Sequence, residues 1–109
     1  LVNDIYIDSK ISEYILKIVF ATRVPEQFNL SKLADLISFG ASPRASLNLV
    51  LASKAKAFIS GRGYVIPEDV KYVAKDILRH RILLSYEAEA EEITSEDIVD
   101  QLLQEVPVP

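Results

Sequence analysis

The chain has 109 residues, half of them hydrophobic, which suffices for one small domain to bury a core without disulfides or metal. It has no cysteine and one histidine, His80, so thiol catalysis and Cys/His zinc sites are excluded and a reducing, cytoplasmic compartment is expected. The net charge of −4 and the scattered basic residues disfavour nucleic-acid binding, and the short apolar runs exclude a transmembrane helix.

The first third of the chain predicts one helix and an irregular connector. Asp8 or Ser9 can cap a helix that runs to about Ala21, with Ile11, Ile15 and Ile18 on its buried face. Pro25 ends this helix, and residues 26–38 have the mixed pattern of a connector with one helical turn over 32–36.

The second predicted helix is the longest and most apolar, and it runs from Pro43 to about Ser60. Gly61 follows as its left-handed stop. We interpret this helix as the centre of the core, with a wide buried stripe formed by Leu47, Val50, Leu51, Ala55 and Phe58.

The remainder predicts two more helices and two short extended segments. Residues 64–66 and 82–84 have extended patterns, and Pro67 opens a third helix that ends near Arg79. Thr94 and Asp97 form a capping box for a last helix, which Pro107 ends. The predicted fold class is therefore all-α, a small bundle of four main helices with one or two short extended segments.

The start of the second helix carries the most informative residues. Ser42 is a good N-cap and Pro43 suits the first helical position, so Arg44 falls in the first turn. A cation there opposes the helix dipole, an arrangement that makes sense when an anion binds between the arginine and the free backbone N–H groups. First-turn arginines also occur on ordinary solvated helix faces. Gly40 and Ala41 lack bulk, so a ligand or a neighbouring backbone can approach closely.

Other charged groups have two interpretations each. The acidic run Glu87 to Glu92 could hold a cation, but such a run is usually a solvated segment, and we expect no metal site. The trio Arg79, His80 and Arg81 forms either a phosphate or subunit contact or a cluster that satisfies the last helix carbonyls. For Arg62 we favour a structural role.

Three segments together resemble a known family. The chain resembles the C-terminal helical lid of MoxR-type AAA+ ATPases in three segments of matching order and spacing, residues 40–45, 61–70 and 78–82. The resemblance extends from about residue 24 to residue 109. One departure is Ile66, where the family usually has threonine or serine. The resemblance implies that residues 1–109 are a single lid domain cut from a longer ATPase, with residues 1–8 as the linker from the missing core domain.

The resemblance also implies a function. The arginine that matches Arg44 is the second-sensor residue of such ATPases, which reaches the γ-phosphate of ATP, so Ser42, Pro43 and Arg44 are the expected nucleotide-binding residues. The parent would bind ATP and magnesium, form a homo-oligomeric ring and remodel other proteins like a chaperone. A protein with a metal-dependent adhesion domain is an expected partner. Whether Arg44 serves its own or a neighbouring subunit is left open.

The chain alone cannot hydrolyse ATP, since none of its three glycines precedes a lysine and no phosphate loop is therefore present. The catalytic core is expected upstream of Leu1. The alternative is a stand-alone helical protein-interaction module without nucleotide chemistry.

Overall fold

Four long helices and a two-stranded sheet make up the fold in the computed structural model, which describes residues 4–28 and 30–109. The predicted all-α bundle is confirmed. In chain order the elements are α1 (Ser9–Arg23), a 3-10 turn (Pro25–Phe28), α2 (Ser31–Ala34), β1 (Ile37–Phe39), α3 (Arg44–Ile59), α4 (Pro67–Leu78), β2 (Leu83–Leu84), α5 (Tyr86–Ala90) and α6 (Ser95–Glu105). Residues 1–3 of the predicted linker lie outside the described ranges.

Local capping signals set the ends of the helices. The Asp8 carboxylate accepts the Lys10 N–H at 2.9 Å and begins α1, which continues two residues past its predicted end. In α6 the predicted capping box is present: Thr94 Oγ1 accepts the Asp97 N–H at 3.2 Å, and Asp97 accepts the Thr94 N–H at 3.0 Å. Both bonds satisfy backbone groups that the first helical turn leaves unpaired.

The end of α3 is a left-handed glycine turn. Gly61 has a φ of +79°, a conformation that glycine adopts without steric cost, and the Arg62 N–H donates to the Ala57 carbonyl at 2.9 Å. The predicted stop at Gly61 is confirmed.

The core lies between the four long helices. Helix α1 packs against α3 and α6, and α4 packs against the same two, so the four close around a shared interior. The largest fully buried side chains include Tyr14, Ile15, Ile18, Leu49, Val70, Leu78, Ile98 and Leu102.

The inward face of α3 differs from the prediction. Its buried residues are Ala45, Leu49, Ser53 and Ala57, each four positions from the last, whereas the predicted core residues Leu47, Leu51 and Phe58 are 66%, 54% and 48% exposed. Three of the four buried residues are small, which lets the backbones of α3 and its neighbours approach closely. Helix α3 is apolar on both sides, so periodicity alone could not identify which side faces the interior.

Short extended segments join the bundle at its edges. Residues 37–39, predicted as connector, form β1 and pair antiparallel with β2, with Ile37 opposite Leu84. Tyr6 and Tyr64 form a parallel bridge in which the Tyr6 N–H donates to the Gly63 carbonyl at 2.8 Å. The acidic segment contains the short helix α5, which the sequence did not predict.

Candidate functional site

The start of α3 is the predicted site, and its geometry differs from the prediction in one respect. Pro43 already has helical dihedral angles (φ −57°, ψ −23°) and occupies the N-cap position, and no side-chain bond caps the helix. The Ser42 side chain makes no capping hydrogen bond within the described residues, which corrects its predicted role. The Ala45 N–H instead donates to the Ser42 carbonyl at 2.9 Å, and the Ser46 N–H to the Pro43 carbonyl at 3.1 Å. Two first-turn amides are thus already engaged, so the Arg44 guanidinium is the principal anion-binding group available here.

The Arg44 side chain is exposed, and within residues 4–28 and 30–109 it takes part in no hydrogen bond or ion pair. At about 100° per residue, Arg44 projects in the same direction as Leu47, Leu51 and Phe58 and away from the buried face. We call this exposed set Leu47, Leu51 and Phe58 the α3 stripe. A free cation and an apolar stripe therefore share one surface of one helix.

The segment before α3 is held against the end of α1. Thr22 is 1% exposed, and its hydroxyl donates to the Val19 carbonyl at 2.6 Å and accepts the Ala41 N–H at 2.9 Å. A Cβ at Gly40 would lie 2.6 Å from the Thr22 carbonyl carbon and 2.9 Å from the Arg23 nitrogen, so only glycine fits. The predicted close approach at Gly40 is made by a neighbouring backbone.

The Arg62 guanidinium forms a bidentate pair with Asp69, with two N···O distances of 2.7 Å. Asp69 is 1% exposed and also accepts the Ile66 N–H at 2.9 Å, which caps α4 although Ile66 has no polar side chain. Burial alone would raise the pKa of Asp69, but the hydrogen bonds from Arg62 and Ile66 and the positive charge of Arg62 hold it below its ordinary value. The structural role favoured for Arg62 is thus observed.

The cluster after α4 is partly engaged within the domain. Arg79 donates to Glu96 at 3.0 Å, forms an ion pair with Asp76 at 3.4 Å, and its Nε donates to His80 at 3.2 Å. His80 and Arg81 are exposed.

The acidic run is exposed at all four of its glutamates, Glu87, Glu89, Glu91 and Glu92. Within the described part of the chain, no group of three or more carboxylate or imidazole side chains could hold a metal ion. None of the described helices is long and apolar enough to span a bilayer.

Comparison with known proteins agrees with this architecture. The model of the AAA lid domain family matches residues 31–102. The chaperone MoxR1 of Mycobacterium tuberculosis is 43% identical over 95% of this chain, and the MoxR protein of Paracoccus denitrificans is 35% identical over 88%. A crystal structure of a candidate ATPase from Cytophaga hutchinsonii superposes with a TM-score of 0.96 at 46% identity over 99% of the chain.

The chain spans only part of each of these proteins: 28% of MoxR1, 30% of the Paracoccus MoxR and 33% of the Cytophaga protein. The matched family model covers the segment from α2 to α6, including Arg44, the Arg62–Asp69 pair and the Arg79 cluster. This chain therefore belongs to the AAA lid domain family, and its relatives include MoxR proteins.

Proposed function

We propose that this chain is the nucleotide-sensing lid of a MoxR-type AAA+ ATPase, in which Arg44 contacts the γ-phosphate of ATP bound to a core domain. The observation that carries the proposal is the exposed, unpaired guanidinium at the start of α3, within the described residues. A planar guanidinium can bind two phosphate oxygens at once and stabilise the charge of a transferring phosphoryl group.

The α3 stripe supplies the docking surface in this proposal. Three large apolar side chains, about half or more exposed, lose contact with water when another protein surface covers them. Because Arg44 projects from the same face, the surface that covers the stripe also receives the arginine. We assign that surface to the AAA+ core domain, of the same or of a neighbouring subunit.

In the complete ATPase, the proposed core domain binds ATP and magnesium. Arg44 fits a phosphate, whereas the described residues offer no cluster of carboxylates for a cation. Pro43 and Ser42 contribute the backbone beside the arginine. The magnesium ligands and the phosphate loop are assigned to the part of the protein that precedes this chain, with residues 1–8 as the linker.

The proposed assembly is a cytoplasmic ring of identical subunits that remodels other proteins, in line with the chaperone name of MoxR1. His80 and Arg81 are exposed and, with Arg79, form the proposed subunit contact. A protein with a metal-dependent adhesion domain is the proposed partner.

The test is ATP turnover by the complete ATPase carrying Arg44→Ala. We expect turnover to fall tenfold or more, about the loss caused by removing an electrostatic contact to a transferring phosphoryl group. Arg44→Lys should restore part of it, since lysine keeps the charge but not the planar fork. Lys10→Ala is the matched control, because Lys10 is another exposed first-turn cation, on α1.

A second variant tests the docking surface. Leu51→Glu in the complete ATPase should lower turnover, whereas Tyr86→Glu, an equally drastic change at a side chain 90% exposed outside the α3 stripe, should not. Unchanged turnover in both Arg44→Ala and Leu51→Glu would favour the alternative, a helical interaction module that never contacts nucleotide.

A further inference from the structure

We infer that Thr22 is a positioning residue for Arg44, acting through the backbone that leads into α3. This inference rests on the function proposed for Arg44. Thr22 lies 22 residues before Arg44 in the sequence, on a different helix, and it does not itself bind the nucleotide. Its effect is to hold the start of α3 at a defined place on α1.

The contacts of Thr22 connect two helix termini. Its hydroxyl donates to the Val19 carbonyl within α1 and accepts the Ala41 N–H, so one buried oxygen joins the last turn of α1 to the residue three positions before Arg44. Gly40 packs directly on the Thr22 backbone, with no space for a side chain between them. Two consecutive residues of the segment are thereby fixed.

The start of α3 has few other anchors. The Ser46 hydroxyl also donates to the Pro43 carbonyl at 2.7 Å, but this contact lies within the first turn of α3. No side-chain bond caps the helix, Ser42 and Pro43 are exposed, and Arg44 itself has no partner within the described residues. The segment that leads to Arg44 is therefore held by the Thr22–Ala41 bond and the Gly40 contact, while α3 itself is held by its buried face. Displacement of a phosphate-binding group by about 1 Å can cost as much as a hundredfold in rate.

The experiment compares two Thr22 substitutions in the complete ATPase by ATP turnover, one of them also in an Arg44→Ala background. Thr22→Val keeps the shape but removes the hydroxyl, and we expect kcat to fall at least threefold. Thr22→Ser keeps the hydroxyl, and we expect turnover close to that of the wild type. In an Arg44→Ala background, Thr22→Val should cause no further loss, because the group that it positions is already absent.

Two controls separate positioning from a general loss of stability. Val106→Ala truncates a buried side chain at the end of α6, far from α3 in the chain, and should lower the melting temperature without lowering kcat. Gly40→Ala disturbs the same junction independently and should reproduce the Thr22→Val loss, whereas Gly63→Ala, where a Cβ meets nothing within 4 Å, should not.

The outcomes are distinguishable. If Arg44→Ala lowers turnover but Thr22→Val and Gly40→Ala do not, the positioning role is refuted and the proposed function stands. If Thr22→Val lowers turnover equally in the wild-type and Arg44→Ala backgrounds, Thr22 acts by another route and the inference is wrong. If Arg44→Ala has no effect, the proposed function and this inference both fail.

Discussion

Two leucines on α3 offer a direct test of which face of that helix supports the fold. Leu49 is 0% exposed and Leu51 is 54% exposed, although they are the same residue type, two positions apart on one helix. Leu49→Ala leaves a cavity in the core, and such truncations cost about 2 to 5 kcal/mol. Leu51→Ala removes a side chain that is already largely in water, so its cost should stay below about 1 kcal/mol, partly offset by the higher helix propensity of alanine.

Thermal unfolding of the isolated chain, followed by circular dichroism, measures the difference. At about 4 °C per kcal/mol for a domain of this size, Leu49→Ala should melt about 8 to 20 °C below the wild type and Leu51→Ala within about 4 °C of it. The apolar stripe predicted from periodicity leads to the opposite order. An equal or larger loss for Leu51→Ala would show that the α3 stripe belongs to the core and that its assignment as a docking surface is wrong.

Three further predictions address the remaining sites. Asp69→Asn should lower stability by about 2 to 4 kcal/mol, because it removes the charge that pairs with Arg62 in a largely buried position. Since the pKa of Asp69 is depressed in the folded chain, the wild type should lose this stability advantage as the pH falls below about 4. The melting temperatures of the wild type and Asp69→Asn, measured between about pH 3 and pH 7, should therefore approach each other at the acidic end. Gly61→Ala should cost about 1 kcal/mol because of its positive φ, whereas Gly63→Ala should change stability by less than about 0.5 kcal/mol in chemical denaturation. Calorimetry of the isolated chain with Mg-ATP should detect no micromolar binding, because Arg44 alone lacks base, ribose and magnesium contacts.

Features decided by a few neighbouring residues could be predicted from the sequence. The capping box of Thr94 and Asp97 and the glycine stop at Gly61 depend on groups no more than five residues apart, and each is present. Pro67 likewise marks the first residue of α4. Such signals place helix ends, and from the helix ends the all-α bundle follows.

Features that depend on distant partners could not be predicted. The interior face of α3 is determined by the packing of α1 and α4 against it, and the strand formed by residues 37–39 exists because residues 83–84 pair with it. The Thr22–Ala41 bond joins residues 19 positions apart, and no spacing rule connects a threonine in one helix to an amide before another. The predicted Ser42 side-chain cap is absent although Pro43 has helical dihedral angles, because a preferred residue type does not by itself form the capping bond.

The two faces of α3 explain why Arg44 can be studied without unfolding the domain. The face of Ala45, Leu49, Ser53 and Ala57 is buried and contributes the packing energy, so changes there act on stability. The opposite face has Arg44 and the α3 stripe and contributes little to the isolated fold, so changes there should act on docking and on turnover. Arg44→Ala should even leave the melting temperature unchanged or slightly raised, because removing a first-turn cation relieves an unfavourable dipole interaction of about 0.3 to 1 kcal/mol. A sharp drop in its melting temperature would instead mean that the arginine has a structural partner, and the separation of the two faces would fail.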